Sequence, residues 1–295
     1  MVVYRDIPRM AASTELSGPP VTARNHLAPT SLFDGYAFDL DGTLHLGGTV
    51  LPGAAETIAS IRRAGRPVAF VTNNPLHSAA DYSRQLRDLG IEATPSDVVT
   101  ATDALVSYLT SAHPTSRLLV IGEALLRDTL AAAGFGLTDQ PGVAEVVVVS
   151  FDRTFDYAKL LAAYRAIRLH GARLVATNPD PYCPTPDGGL PDCAAMLAAV
   201  EACTGAIAEA IVGKPSRQMA AAVLDRLGIG AAGAVMVGDR LATDVAMARS
   251  AGMTGVLVLT GATSQADLAT AEPGSLPDYV IRTLPELLPE PPRCR

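Results

Sequence analysis

The chain has 295 residues, 48% of them apolar, with a formal net charge of −7 and four cysteines. That length supports one large or two ordinary globular domains with a sizeable core. The acidic balance, with Lys and Arg scattered, excludes the basic stripe needed to bind nucleic acid, and no window of about 18 uncharged apolar residues is present to span a membrane. Small molecules are the expected partners.

Residues 1–33 contain Pro19, Pro20 and Pro29 and no apolar run of a signal peptide, which predicts a disordered extension. Cys183, Cys193, Cys203 and Cys294 lack CxxC spacing, so reduced thiols and a cytoplasmic location are expected. From Asp34 onward, apolar runs predict strands over Gly35–Phe38, Pro67–Thr72, Arg117–Ile121, Glu145–Ser150, Arg173–Thr177, Ala234–Val237 and Gly255–Leu259. Between them, amphipathic patterns predict helices over Ala54–Ala64, Ser78–Leu89, Ala124–Ala133, Tyr157–Leu169, Ala194–Ala202, Arg217–Leu227 and Asp244–Ser250. Gly65, Gly90, Gly134, Gly171, Gly228 and Gly252 supply left-handed helix stops. This βαβα rhythm predicts an α/β fold with a parallel sheet covered on both faces.

Several predicted strands deliver polar residues at their carboxyl ends, where open parallel sheets form their ligand crevice. Asp39 and Asp41 lie in Asp-Leu-Asp-Gly, where alternation places both on one side of the chain. One acid could serve as nucleophile and the other handle a proton; taken alone, the segment also reads as a strand followed by an Asp-Gly turn. Thr72 and Asn73 in "VTNNP" offer a hydroxyl and an amide to phosphate oxygens, or form an ordinary capping turn. Lys214 in "IVGKPS" either neutralises a phosphate or is a solvated charge. Asp239 closes another apolar strand, and Asp244 follows at a helix start, where a capping acid is equally at home. Such a group of carboxylates requires a cation, and all-oxygen ligation suits Mg²⁺.

Together and in this order, these segments resemble the four motifs of the haloacid-dehalogenase (HAD) superfamily of phosphohydrolases. Asp39-Leu40-Asp41-Gly42-Thr43 is similar to motif one, Thr72 to motif two, Lys214 to motif three, and Gly238-Asp239 through Thr243-Asp244 to motif four. The resemblance implies that Asp39 forms an aspartyl phosphate and that Asp41 protonates the leaving oxygen and then activates water. It implies phosphate binding by Gly42, Thr72, Asn73 and Lys214. Mg²⁺ would be held by Asp39, the main-chain carbonyl of Asp41, and Asp239, with Asp244 as ligand or anchor.

Only 33 positions separate Asp39 from Thr72, whereas 142 separate Thr72 from Lys214, far more than the roughly 30 residues of one βαβ unit. An inserted α/β cap domain is therefore expected over 113–207, with a Rossmann-like catalytic core formed by 34–112 and 208–288. A cap at this position, with "PGAAETIASIRRAG" after motif one and "ATNPDPYCPTPDGG" within the insert, looks like the NagD-like, class IIA branch. That resemblance implies a Mg-dependent phosphatase for a sugar, polyol, glycolate or nucleoside phosphate, with room for a homodimer formed through the cap. His45, Asn178, Asp180 and Tyr182 are candidate specificity residues, although Asn and Asp are also ordinary turn formers. Pro191-Asp192-Cys193 departs from the branch's usual Pro-Gly-x-Gly.

The segment "GIGAAG" at Gly228–Gly233 matches a dinucleotide pattern, but it follows a predicted helix and precedes a strand, the reverse of the required context. His26, His77, His113 and His170 show no paired metal-ligand spacing. A dehalogenase would not need Asp41, because halide leaves without a proton. Hydrolysis competes with two further activities for such a chain, those of a phosphomutase of the same superfamily and of a non-catalytic phosphometabolite-binding protein.

Overall fold

A computed structural model describes residues 28–183 and 189–289. The chain begins with β1 (Gly35–Asp39), a small hairpin of β2 (His45–Leu46) and β3 (Thr49–Val50), helix α1 (Ala54–Arg63), β4 (Val68–Thr72), α2 (Ala79–Asp88), β5 (Val98–Thr100) and α3 (Ala101–Ala112). It continues through β6 (Arg117–Ile121), α4 (Ala124–Ala132), β7 (Gly136–Leu137), β8 (Val146–Val149), α5 (Tyr157–His170), β9 (Arg173–Ala176), β10 (Tyr182–Cys183), β11 (Leu190–Pro191), α6 (Cys193–Thr204) and β12 (Ala210–Ile211). It closes with α7 (Arg217–Leu227), β13 (Ala234–Gly238), α8 (Ala246–Ala251), β14 (Thr254–Val258), α9 (Gln265–Thr270) and β15 (Tyr279–Ile281).

Two parallel sheets result. One has the order β15-β14-β13-β1-β4-β5, the other β12-β9-β8-β6-β7. In the six-stranded sheet, strand alternation sends Tyr36, Phe38, Phe70, Val235 and Val237 to one face, against α1, and Ala37, Ala69, Val71 and Met236 to the other, against α3 and α7. Each such large side chain, once fully buried, contributes about 1.5–3 kcal/mol. The second apolar layer continues through α3 into Leu118, Val120, Val146 and Val148, so it reaches one face of the five-stranded sheet. The other face of that sheet packs on α5 and α6 through Leu119, Ile121, Val147, Val149, Met196 and Val200.

All seven expected strands and seven expected helices form, within a few residues of their predicted ends. The six expected glycine stops all take positive φ, between 67° and 93°. Unanticipated are α3, α9 and the short strands β2, β3, β5, β7, β10, β11, β12 and β15. Two boundaries differ from expectation. Residues 28–33 are not a loose extension, because Phe33 stacks edge-on against Tyr36 and Tyr279 and its N–H donates to the Tyr36 hydroxyl. Residues 1–27 and His26 lie outside the described residues. The five-stranded sheet runs past 207, because Ala210–Ile211 pairs with Val175–Ala176. Gly228–Gly233 leads from α7 into β13 through a short turn, as its context required. Among the described residues no helix is long and apolar enough to cross a membrane.

Candidate active site

The chain moves from β1 outward to β4 and β5, then returns to the opposite side of β1 as β13, β14 and β15. This reversal opens a crevice at the carboxyl ends of β1, β4 and β13. Asp39 ends β1, Thr72 ends β4, and Asp239 follows β13. Lys214 is brought in on the segment between β12 and α7, and the turn Leu241–Val245 carries Asp244. Asp39, Thr72, Lys214, Asp239 and Asp244 are all buried.

The Lys214 ammonium contacts Asp39 Oδ1 and lies 2.7 Å from Asp244 Oδ1. Burial pushes the lysine toward neutrality, but the charges of Asp244 and Asp39 outweigh it and hold Lys214 protonated. Carboxylate oxygens of Asp39, Asp239 and Asp244 lie within 4.8 Å of one another. Burial raises all three carboxyls; the charge of Asp41 adds to this at Asp39 and that of Asp39 at Asp239 and Asp244, while Lys214 opposes it at Asp39 and Asp244. One lysine therefore does not balance three buried acids.

Asp239 Oδ2 accepts the Ala262 N–H at 2.5 Å, whereas buried Oδ1 has no hydrogen-bond partner. Asp244 differs: Oδ1 accepts from Lys214 and Oδ2 from the Arg240 N–H at 3.0 Å. The orphaned oxygen of Asp239, among hard oxygen donors with excess negative charge, fits a divalent cation such as Mg²⁺. Gly42 makes this cradle close-packed: its φ is 84°, and a Cβ there would stand 2.5 Å from Asp239 Oδ2.

Asp41 lies at the crevice mouth, with its side chain 34% exposed, and its carboxylate falls outside the three-acid group. His45 Nδ1 is 3.5 Å from Asp41 Oδ1, and both ring nitrogens are buried without a hydrogen-bond partner. Thr43 Oγ1 donates to Asp39 Oδ2 at 3.4 Å. Thr72 Oγ1 accepts the Asn74 N–H at 3.1 Å, which leaves its hydroxyl proton to donate.

Several sequence-predicted residues sit elsewhere than expected. Gly42 is not a free phosphate donor, because its N–H is spent on the His45 carbonyl at 2.8 Å. The Asn73 side chain is also engaged: Oδ1 accepts the Lys214 N–H at 2.7 Å, and Nδ2 donates to Asp180 Oδ2 at 2.7 Å and to the Lys214 carbonyl. Asn73 thus holds the Lys214 backbone in place. Asn178 is fully buried and does not line the pocket; its Nδ2 donates to Asp180 at 3.1 Å and Asp192 at 3.3 Å. His45 lies beneath Asp41 rather than in the pocket wall.

Asp180 and Tyr182 do line the pocket, together with Asp39, Asp41, Asn74, Cys183, Asp192 and Arg240. Asp180 reaches across from the five-stranded unit to Asn73 and Arg240, with Asp180 Oδ1 3.5 Å from Arg240 Nη1, while Arg240 Cζ stands 5.5 Å from the Tyr182 ring centre. Arg240, Asp192 and the loop Thr260–Ala262 were not anticipated. The loop follows β14 as Asp239 follows β13, and its Thr260 hydroxyl donates to the Gly42 carbonyl at 2.6 Å. The carboxyl-end rule alone identifies it.

Two family models match the chain: a haloacid dehalogenase-like hydrolase over residues 36–136 and a HAD-hydrolase-like model over 211–287. The chain is 34% identical over 253 residues to the sugar-phosphatase AraL of Bacillus subtilis, which covers 86% of this chain and 91% of that protein. It is also similar to the crystal structure of 4-nitrophenylphosphatase from Thermotoga maritima, with a TM-score of 0.81, 33% identity, and coverage of 86% of this chain and 96% of that one. Glycerol phosphate phosphatase from Mycobacterium tuberculosis, solved in complex with magnesium, aligns with a TM-score of 0.79 and 34% identity over 86% of this chain and 77% of that one. The chain belongs to the haloacid dehalogenase-like hydrolases, with their Rossmann-like α/β fold. Within that family it is a phosphatase of the class IIA, NagD-like branch.

Proposed function

We propose that the protein is a Mg²⁺-dependent phosphomonoesterase that turns over a small phosphorylated metabolite through an aspartyl phosphate on Asp39. The observation that carries this reading is the set Asp39, Asp239 and Asp244 within 4.8 Å of one another, with Asp239 Oδ1 orphaned and Lys214 alongside.

Asp39 attacks phosphorus as the bond to the leaving oxygen breaks, and protonated Asp41 gives its proton to that oxygen. Asp41, now a carboxylate, takes a proton from water; the water attacks phosphorus, and Asp39 is regenerated as inorganic phosphate departs. The Lys214 ammonium and Thr72 hydroxyl hold the transferring oxygens, where charge is spread in the transition state. Asp39, Asp239 and the Asp41 main-chain carbonyl would hold a Mg²⁺ ion, which would supply positive charge to the phosphoryl group. Asp244 anchors Lys214, since both its oxygens are already engaged. The unit containing the five-stranded sheet acts as an inserted cap whose Asp180 and Tyr182 close over the leaving group.

Phosphate release measured over a panel of phosphate esters, with and without Mg²⁺, tests the reading. The wild type releases phosphate only with metal, and Asp39→Asn lowers turnover at least about a thousandfold while remaining folded. A wild type that binds these esters and releases nothing is a binding protein instead. Full turnover by Asp39→Asn defeats the nucleophile assignment.

A further inference from the structure

We propose that Asp192 is a specificity-determining residue: with Asp180 it forms an acceptor pair that selects leaving groups offering hydroxyl or ammonium donors and rejects those carrying a carboxylate or second phosphate. This rests on the phosphatase reading and narrows its substrate class to polyol, sugar or amino-alcohol phosphates.

The family resemblance does not supply this residue, because Asp192 stands where the branch usually places glycine. Asp192 is 2% exposed, yet it lines the pocket beside Tyr182, Cys183 and Arg240. Its Oδ1 caps α6 through the Cys193 N–H at 2.5 Å and accepts from Asn178 Nδ2 at 3.3 Å. The same Asn178 amide donates to Asp180 Oδ2, so one buried donor orients two carboxylates toward a shared space. Burial pushes the Asp192 carboxyl up to about 6, which leaves it ionised near pH 8.

Two cations line the pocket among the described residues, and both are committed. Lys214 contacts Asp39 and Asp244 at the phosphate end; Arg240 faces Asp180 and the Tyr182 ring. The described residues of this wall, Asp180, Tyr182, Cys183 and Asp192, include two acids and no Lys or Arg. An anionic leaving group would enter an acceptor-rich wall with no free cation to receive it. Rejection by an uncompensated like charge is an effective source of selectivity, stronger than the loss of one apolar contact.

The test compares kcat/KM near pH 8 for glycerol phosphate, ethanolamine phosphate and phosphoglycolate, with p-nitrophenyl phosphate as a generic ester. The first two should exceed phosphoglycolate by at least about tenfold, a discrimination of about 1.4 kcal/mol. Asp192→Asn and Asp192→Gly should each shrink that ratio several-fold, with folding checked by thermal melting; the wild-type ratio stands as a test even if neither variant folds. Equal turnover of phosphoglycolate and glycerol phosphate by the wild type, or a ratio unmoved in both folded variants, overturns the assignment. No release from any ester, p-nitrophenyl phosphate included, defeats the phosphatase reading and this inference with it.

Discussion

Asn73, which lines the pocket, illustrates how much of this site depends on side chains committed to other protein groups. Its side chain bonds both the N–H and the carbonyl of Lys214 and also grips Asp180. Asn73→Ala would leave the buried Lys214 N–H without an acceptor and Asp180 without one of its donors. The expected cost is about 1–3 kcal/mol in stability, read from urea unfolding, with a lower kcat because Lys214 loses its fixed position. Unchanged stability and kcat would show that the backbone at Lys214 is held by other means. The residues gathered at the crevice, Asp39, Asp41, Thr72, Lys214, Asp239 and Asp244, were legible in the sequence, because they carry recognisable neighbours. The division of labour was not. Asn73, Gly42 and Asn178 have polar groups of the right type, and only the folded chain shows those groups already committed to Lys214, His45 and the acid pair.

At the scale of elements, the junction between the two sheets is organised around Glu209, between α6 and β12. Its carboxylate accepts from His113 at the end of α3 at 2.5 Å, from Tyr108 on α3 at 3.1 Å, and from Arg173 at the start of β9 at 2.5 Å. Burial works to raise the Glu209 carboxyl; these three hydrogen bonds outweigh it and hold the group below its ordinary range. A depressed carboxyl stabilises the fold fully above its unfolded pKa of about 4.3, and that contribution is lost as pH falls through the folded value. Glu209→Gln should therefore lower the melting temperature near pH 7, with the deficit narrowing below about pH 4. A deficit independent of pH would assign the loss to packing rather than charge. This junction was not readable beforehand: Tyr108 and His113 lie about a hundred positions from Glu209, and sequence spacing says nothing about pairs that only a crossover brings together. The strands and helices were readable because each pattern is local; β12 was missed because its two residues give no periodic signal.

For the whole molecule, stability is expected to rise when a cation binds at the crevice. Three buried acids and one lysine form an unbalanced group in the crevice. A cation at about a hundred times its Kd would contribute about 2.7 kcal/mol to folding, seen as a melting temperature higher by roughly 4–5 °C for a chain of this size. Asp239→Asn should abolish that response, because it removes the orphaned carboxylate oxygen that points to the ion. A Mg²⁺-induced shift that survives Asp239→Asn would place the ion elsewhere. The proposed cap role of the five-stranded unit sets a second whole-molecule expectation. Asp180 is the residue of the five-stranded unit that grips both Asn73 and Arg240. Asp180→Ala should raise KM for a metabolite ester more than it lowers kcat for p-nitrophenyl phosphate, since closure over the leaving group is weakened while the phosphate end stays assembled. Equal effects on the two substrates would argue that Asp180 merely supports Lys214 through Asn73.

The proposed mechanism turns on a covalent step at Asp39, and that step can be observed directly. Acid quenching during steady turnover, followed by peptide mass mapping, should find a phosphoryl group on the peptide containing Asp39, removable by hydroxylamine and absent in Asp39→Asn. Rapid turnover with no phosphoryl group on any peptide, combined with inversion of configuration at phosphorus for a chiral substrate, would contradict the aspartyl phosphate by showing direct attack of water.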